Sequence, residues 1–212
     1  MRNQRIEQLK NPGLIPVIRL NSGDALENLL ESLLAGGITC AELTMTMPDA
    51  PGLLRKMKEK FSGRMLLGMG TILSTANARE ALDAGAEFLV TPVFVDGVIE
   101  LAHAQDVPVS MGALSPTEAF HCHTSGADFV KIFPLNVNGN KYIKTLLEPM
   151  PFLQIIPSGG VGKADLPEIF QYGAQACCIG GELVRKDLIA KQDWKGLTEN
   201  AKSFTELRKT LI

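Results

Sequence analysis

The sequence predicts a (β/α)8, or TIM, barrel with an extra N-terminal helix, and three observations support this fold class. Short apolar runs of strand length alternate with amphipathic helical patterns along the chain. Eight such runs occur, most of them followed by a helical pattern, at intervals of roughly 20 to 28 residues. Three helical patterns end on a similar tripeptide that leads into the next strand: Ala84-Gly85-Ala86, Ser125-Gly126-Ala127 and Tyr172-Gly173-Ala174. Eight repeated units of this length most economically close into a parallel barrel.

The predicted elements form one domain that spans residues 1–212, since nothing in the sequence marks a linker. The polar segment Asn3–Lys10 forms the extra helix and covers the N-terminal end of the barrel. A doubly wound open sheet is the alternative, disfavoured because no GxGxxG turn follows the first strand. The strands are expected at Leu14–Ile18, Ile38–Thr44, Leu66–Gly70, Phe88–Val90, Val107–Ser110, Phe129–Phe133, Gln154–Ile156 and Ala176–Ile179.

Helix boundaries follow from capping chemistry. Side chains of Ser22, Ser74, Asp96 and Ser115 are suited to accept hydrogen bonds at helix starts, and Glu118 completes a capping box with Ser115. Glycines fall where the helical patterns end, as expected for residues that adopt a left-handed conformation. These glycines are Gly36, Gly85, Gly126 and Gly173.

Composition narrows the class of function. The chain is 45% apolar and 21% charged with a net charge of -2, which predicts no general attraction to nucleic acids or anionic membranes. No apolar stretch approaches the roughly 18 residues that span a bilayer, and Met1–Lys10 lacks the apolar core of a secretory signal. The four cysteines form no CxxC pair, so we expect reduced core thiols in a cytoplasmic protein.

Lys131 is the strongest candidate for catalysis, because it lies within the apolar run Ala127–Pro134. Burying an ammonium ion without a partner is costly, and desolvation favours the neutral amine. A neutral lysine on a rigid strand attacks a carbonyl and forms an imine. The alternative interpretation is a lysine at a strand end whose charged head reaches water.

Glu42 is the second candidate. The two-residue period of a strand places it on one face with Cys40 and Thr44, towards the barrel interior. A carboxylate in that position needs a partner or a task, and Lys131 is the candidate for both. The alternative is a buried ion pair without a catalytic role. Phe133 lies on the same strand face as Lys131 and is expected in the site.

Other polar groups end strands at the side where such barrels carry active sites. Arg19 is the only arginine at a strand end, and it is the first choice to anchor an anionic substrate. A surface ion pair is its alternative. Thr71 is expected to hydrogen-bond a substrate carboxylate or hydroxyl, or else to cap local backbone. Thr91-Pro92 ends the fourth strand.

Two glycine pairs follow the seventh and eighth strands, where this fold usually binds phosphate. They stand in Ser158-Gly159-Gly160 and in Gly180-Gly181-Glu182, and glycine lets backbone amides approach an anion closely. Glu182 argues against an anion there unless its carboxylate turns away. His121 and His123 are not expected to bind a metal, because residues two apart on a helix point in different directions.

In this order the strand motifs resemble those of the 2-keto-3-deoxy-6-phosphogluconate aldolases, with the 4-hydroxy-2-oxoglutarate and 2-dehydro-3-deoxy-6-phosphogalactonate aldolases. The likeness runs from about Leu14 to Val184. It implies a homotrimeric barrel that cleaves 2-keto-4-hydroxy acids to pyruvate and an aldehyde without metal or other cofactor. The motifs are Pro16-Val17-Ile18-Arg19, Ala41-Glu42-Leu43-Thr44, Gly68-Met69-Gly70-Thr71, Thr91-Pro92, Phe129-Val130-Lys131-Ile132-Phe133-Pro134 and Pro157-Ser158-Gly159-Gly160-Val161.

The resemblance also implies roles for these residues. Lys131 forms the imine, Glu42 moves protons, and Thr71 and Pro92 position the pyruvyl end. The distal end of the substrate usually carries a phosphate, and the resemblance implies that residues at other strand ends bind it. These residues are Arg19, Gly159, Gly160, Gly180 and Gly181.

Three positions depart from the phosphogluconate pattern. Thr46 stands where an arginine is frequent, Ser158 replaces a threonine, and Glu182 replaces a hydroxyl residue. The galactonate aldolases also lack that arginine. The segment Lys141-Tyr142-Ile143-Lys144 resembles the corresponding segment of those aldolases. The substrate's phosphate therefore stays open at this stage. Two other functions also stay open: a metal-free phosphosugar epimerase or isomerase, and a barrel that binds a sugar acid without catalysis.

Overall fold

The computed structural model describes residues 1–211, and in them eight parallel strands form one sheet that closes into a barrel. Strand order is β7-β6-β5-β4-β3-β2-β1-β8, and a parallel bridge between Ser158 and Cys178 joins the two outer strands. The strands are β1 (Leu14–Ile18), β2 (Cys40–Thr44), β3 (Leu66–Gly70), β4 (Leu89–Val90), β5 (Val109–Ala113), β6 (Phe129–Ile132), β7 (Ile155–Pro157) and β8 (Cys177–Ile179).

Helices surround the strands, and the predicted (β/α)8 barrel is confirmed. Apolar helix faces pack on the outward strand residues, which bury the largest apolar cluster between the two layers. The helices are α1 (Arg2–Lys10), α2 (Leu26–Ala35), α3 (Ala50–Phe61), α4 (Thr75–Asp83), α5 (Val98–His103), α6 (Pro116–Thr124), α7 (Lys141–Leu147), α8 (Leu166–Gln171), α9 (Lys186–Ala190) and α10 (Trp194–Lys209), with short 3-10 turns at Leu135–Val137 and Lys163–Asp165.

The N-terminal end of the barrel is covered by α1, as expected. Leu9 is buried and belongs to the cluster of side chains that fills the barrel interior. Arg2 Nε lies 3.4 Å from Asp128 Oδ1, and an Arg5 guanidinium nitrogen donates to the Asp106 carbonyl at 3.0 Å. The interior is thereby closed at this end, so a substrate enters only from the C-terminal ends of the strands.

Local capping predictions have mixed outcomes. Ser74 and Ser115 accept hydrogen bonds at the starts of α4 and α6, and Glu118 completes the expected capping box. Ser22 and Asp96 were wrong as caps, because α2 and α5 begin after Ala25 and Gly97. The fifth strand also runs further than the apolar pattern predicts, to Ala113, because its ladder with β6 continues to that residue.

Candidate active site

Lys131 lies in the middle of β6 and is only 5% exposed. Within residues 1–211 its amine has no hydrogen-bond acceptor and no ion-pair partner. Ser110 Oγ is the one fully enclosed, unpartnered side-chain oxygen or nitrogen in residues 1–211, so the Lys131 nitrogen, which also lacks a partner, is not fully enclosed. It lies 5.2 Å from the centroid of the Phe133 ring. The amine is therefore buried, unpaired and reachable.

Glu42 lies in the middle of β2 and is 1% exposed. Burial raises the pKa of its carboxyl group, while the charge of Lys131, a hydrogen bond from Cys178 and the charge of Arg19 lower it, and burial dominates. Cys178 Sγ lies 3.8 Å from Glu42 Oε2. A carboxyl group with a raised pKa exchanges a proton more readily near neutral pH.

Glycines make room for this carboxylate and for the neighbouring strand. A Cβ at Gly70 would overlap the Glu42 carboxylate, so only glycine fits at that point of β3. Gly112 pairs with Lys131 across β5 and β6, and a Cβ there would overlap the Pro92 backbone. The main chain at Pro92 is thus brought against the strand beside Lys131.

The buried ion pair that was the alternative for Glu42 and Lys131 is absent from residues 1–211, since no carboxylate oxygen of Glu42 lies within 4.0 Å of the amine. The amine still lowers the pKa of Glu42 through its charge. The two groups consequently face each other across the interior without neutralising each other by direct contact.

A cavity of about 480 Å³ opens above this pair at the C-terminal ends of the strands. Cys178, which contacts Glu42, and Phe133, which lies near Lys131, connect the cavity wall to these two residues. Lys186 also lines it, a cation that the sequence did not single out. Seven residues predicted for the site form its wall: Arg19, Phe133, Ser158, Gly159, Gly160, Gly180 and Gly181.

The two glycine loops present free backbone amides to this cavity. Gly159 and Gly160 have φ angles of +89° and +80°, which favour glycine. A Cβ on Gly180 or Gly181 would meet no atom within 4 Å. Within the described chain, the amides of Gly160, Val161 and Gly181 donate to no acceptor. Unpaired amides of this kind attract an anion.

Glu182 lines the same cavity, and its carboxylate has a hydrogen-bond donor of its own. Its Oε2 accepts a hydrogen bond from the Lys163 amide at 2.8 Å, at the start of the 3-10 turn after β7. This hydrogen bond compensates part of the negative charge that Glu182 brings to the cavity.

Thr71 and Arg19 lie at the ends of their strands. Thr71 has a φ of +60°, which is unusual for a β-branched residue and turns the chain directly after β3. Arg19 is exposed and has no carboxylate partner within residues 1–211, so its surface ion-pair alternative is wrong there. Its Nε donates to Thr46 Oγ1 at 3.1 Å.

Several residues at the site were missed by sequence reasoning. Cys178 shares the two-residue period that places Gly180 at the strand end, and this signal could have identified it. For Gly70 and Gly112 no local signal indicates what they make room for. Elsewhere, His121 contacts Phe94 and His123 contacts Phe152, with ring centroids 4.1 and 4.6 Å apart.

The family model for KDPG and KHG aldolase matches residues 6–200. The chain belongs to this aldolase family. Aldolases are carbon–carbon lyases.

Individual relatives of this aldolase agree. The 2-dehydro-3-deoxy-phosphogluconate aldolase of Haemophilus influenzae is 32% identical over 195 residues, which cover 90% of each chain. A probable 2-dehydro-3-deoxy-6-phosphogalactonate aldolase of Rhizobium meliloti is 27% identical over 84% of each chain. The fold matches that of KDPG aldolase from Legionella pneumophila, solved with pyruvate as a covalent carbinolamine, with a TM-score of 0.88 and 23% identity over 96% of this chain and 99% of that one.

Proposed function

We propose that this aldolase forms a Schiff base through Lys131 and cleaves a 2-keto-4-hydroxy acid to pyruvate and an aldehyde. The observation that carries the proposal is a buried, unpaired amine facing a buried carboxyl group of raised pKa, beneath an open cavity. An amine without an ion-pair partner has its nitrogen available to attack a carbonyl. In a salt bridge the lysine nitrogen is occupied by its carboxylate partner.

The reaction follows from these positions. Lys131 Nζ attacks the C2 ketone to give a carbinolamine, and loss of water leaves a protonated imine. Glu42 removes the proton of the C4 hydroxyl, directly or through a water, while the C3–C4 electron pair moves into the imine. The aldehyde leaves, and the remaining enamine takes a proton at C3. Hydrolysis then releases pyruvate and restores the amine.

The two ends of the substrate bind different parts of the site. Thr71 and the backbone at Pro92, next to Glu42 and Lys131, hold the pyruvyl end. An anionic distal end, phosphate or carboxylate, binds Arg19 and the free amides of the two glycine loops. The candidate substrates are therefore 2-keto-3-deoxy-6-phospho sugar acids and 4-hydroxy-2-oxoglutarate.

The chain is further proposed to act as a homotrimer in the cytoplasm. The family resemblance supports the trimer, and so does a group of aromatic side chains on one side of the barrel. Phe120 and Phe152 are 50% and 44% exposed with ring centroids 6.5 Å apart. The four free, buried cysteines are consistent with a reducing compartment. No helix within residues 1–211 is long and apolar enough to cross a membrane.

Borohydride reduction in the presence of pyruvate tests the imine. The wild-type chain should gain the mass of a reduced pyruvyl group on the peptide that contains Lys131, and Lys131→Ala should gain none. Glu42→Gln should still be labelled while its turnover falls about 10²–10⁴-fold, because a placed proton transfer contributes that much. Lys144→Ala, which changes an exposed lysine of α7, is the control and should label normally.

Labelling of Lys131→Ala at the wild-type level would disprove the role of Lys131. An unlabelled wild-type chain would favour a metal-free epimerase or isomerase. A labelled chain that releases no aldehyde from any 2-keto-4-hydroxy acid would indicate a barrel that binds its ligand without cleaving it.

A further inference from the structure

A chain of hydroxyl groups holds Arg19 at the rim of the cavity. Arg19 Nε donates to Thr46 Oγ1 at 3.1 Å, and Thr46 Oγ1 lies 2.8 Å from Thr44 Oγ1. Thr44 Oγ1 in turn donates to the Ile18 carbonyl at 3.1 Å. This series of hydrogen bonds therefore starts at Arg19 and ends at Ile18, the last residue of β1. It passes through Thr46 and through Thr44 of β2.

The direction of each hydrogen bond in this chain is determined by chemistry. The Ile18 carbonyl only accepts, so the single hydroxyl proton of Thr44 is directed to it. Thr44 must then accept from Thr46, whose own proton is used in that bond. The Thr46 oxygen keeps its lone pairs, and one of them accepts from the guanidinium group, which only donates. These hydrogen bonds therefore have one consistent arrangement of protons. In that arrangement the Thr46 oxygen accepts from a donor such as Arg19.

The support beneath Thr46 is rigid. Thr44 is fully buried in β2, which is paired with β1 at Ile18 and Leu43. The backbone on either side of Thr46 is also fixed: the Met45 amide donates to the Gly70 carbonyl at 2.9 Å, and the Met47 amide donates to the Thr44 carbonyl at 3.0 Å. The Thr46 hydroxyl is consequently presented at a defined point although the residue is exposed.

The terminal nitrogens of Arg19 stay available. Within residues 1–211, only Nε of this side chain donates a hydrogen bond. The side chain lines the main cavity and also a neighbouring cavity of about 230 Å³ that shares Lys186 with it. A free arginine side chain loses about 2 kcal/mol of rotamer entropy when a ligand immobilises it. Anchoring Nε in advance reduces that cost and leaves the two-nitrogen edge for an anion.

We infer that Thr46, supported by Thr44, is a positioning residue that holds Arg19 for the anionic distal end of the substrate and so favours charged over uncharged substrates. This inference rests on the proposed function, because it uses the distal binding site assigned there. Thr46 touches Arg19 and not the reacting atoms, so its effect is confined to KM for substrates with a distal anion.

Thr46→Val and Thr46→Ser test the inference by steady-state kinetics on 2-keto-3-deoxy-gluconate or its galactonate epimer, each with and without the 6-phosphate. Valine keeps the shape and removes the hydroxyl. We expect Thr46→Val to raise KM for the phosphorylated form about five- to tenfold, with kcat changed less than twofold, since a hydrogen bond to a charged group is lost. KM for the unphosphorylated form should change less than twofold. Serine should restore the wild-type KM.

A double-mutant comparison separates positioning from general structural damage. In an Arg19→Met background, Thr46→Val should add no further increase in KM, because there is no guanidinium left to hold. Thr145→Val, an exposed threonine on α7, should leave all constants unchanged. The inference is overturned if Thr46→Val raises KM equally for both forms, leaves both unaltered, or acts fully in the Arg19→Met background. Loss of borohydride labelling in the wild-type chain would instead overturn the proposed function.

Discussion

At the scale of single residues, the contact between Cys178 and Glu42 influences the protonation of the buried carboxyl group. Burial raises the pKa of the Cys178 thiol well above its ordinary value, so the thiol stays protonated and donates to Glu42 throughout the working range. That hydrogen bond lowers the pKa of Glu42, against the dominant effect of burial. Cys178 therefore offsets part of the proton affinity that burial gives to the carboxyl group.

We predict that Cys178→Ala moves the acid limb of the kcat/KM profile to higher pH. Removal of the donor raises the pKa of Glu42 further, so a higher pH is needed to obtain the carboxylate. Cys178→Ser places a stronger donor there and should move the limb to lower pH. The measurement is kcat/KM from pH 4 to 9.

Cys177→Ala is the matched control, because that thiol lies 3.6 Å from the Gly13 carbonyl, away from Glu42. Its acid limb should coincide with that of the wild type. An equal shift in the Cys177 and Cys178 variants would show that the profile responds to loss of packing and not to the hydrogen bond.

At the element scale, the loop after β8 has open space beside its backbone, in the cavity where the substrate is proposed to bind. Gly181 does not have a positive φ and has open space where a Cβ would lie, so neither backbone strain nor a clash requires glycine there. Gly63, between α3 and β3, also has open space but a φ of +72°. Glycine at position 63 is required by the backbone conformation. Glycine at position 181 is explained only if a ligand needs the space beside it.

Gly181→Ala is predicted to leave the free energy of unfolding within about 0.5 kcal/mol of the wild-type value while raising KM for an anionic substrate, because its Cβ takes the space that the anion needs. Gly63→Ala should do the reverse: it loses about 1–2 kcal/mol to backbone strain and keeps the same KM. Urea unfolding and steady-state kinetics measure the two effects. An unchanged KM in Gly181→Ala would remove the β8 loop from the binding site.

The exposed aromatic group of Phe120 and Phe152 bears on the whole molecule, because contiguous exposed apolar side chains mark interaction surfaces. His123 packs on Phe152, and Val93 in the loop after β4 is 52% exposed. A surface of this kind is more costly to leave in water than scattered apolar residues. The proposed trimer would cover it.

Sedimentation velocity is expected to give three times the mass of one chain, and Phe152→Asp should shift the protein to the monomer by placing a charge in the contact. Val137→Asp, at a residue that is 65% exposed and outside the aromatic group, should leave the trimer intact. Dissociation by both variants, or by Val137→Asp alone, would place the contact elsewhere, and a wild-type monomer would contradict the trimer itself.

The sequence predicted those features of the fold that depend on residues close together in the chain. The eight strands and their order were predictable, because apolar periodicity and helix-ending glycines act over a few residues. Strand ends shifted where pairing continued beyond the apolar run, as at Ala113. The caps expected at Ser22 and Asp96 were wrong because α2 and α5 begin after Ala25 and Gly97, and the Ser22 hydroxyl donates to the Asp24 carboxylate instead.

For the site, the sequence by itself determined that Lys131 and Glu42 lie on inward strand faces and that two glycine loops end neighbouring strands, because the two-residue period of a strand settles which way each side chain points. Only the tertiary structure decided that Cys178 reaches Glu42, that Thr46 holds Arg19, and that Glu182 turns to the Lys163 amide. These contacts join segments that are far apart in the chain. They depend on barrel closure and side-chain rotamers, neither of which a local pattern encodes.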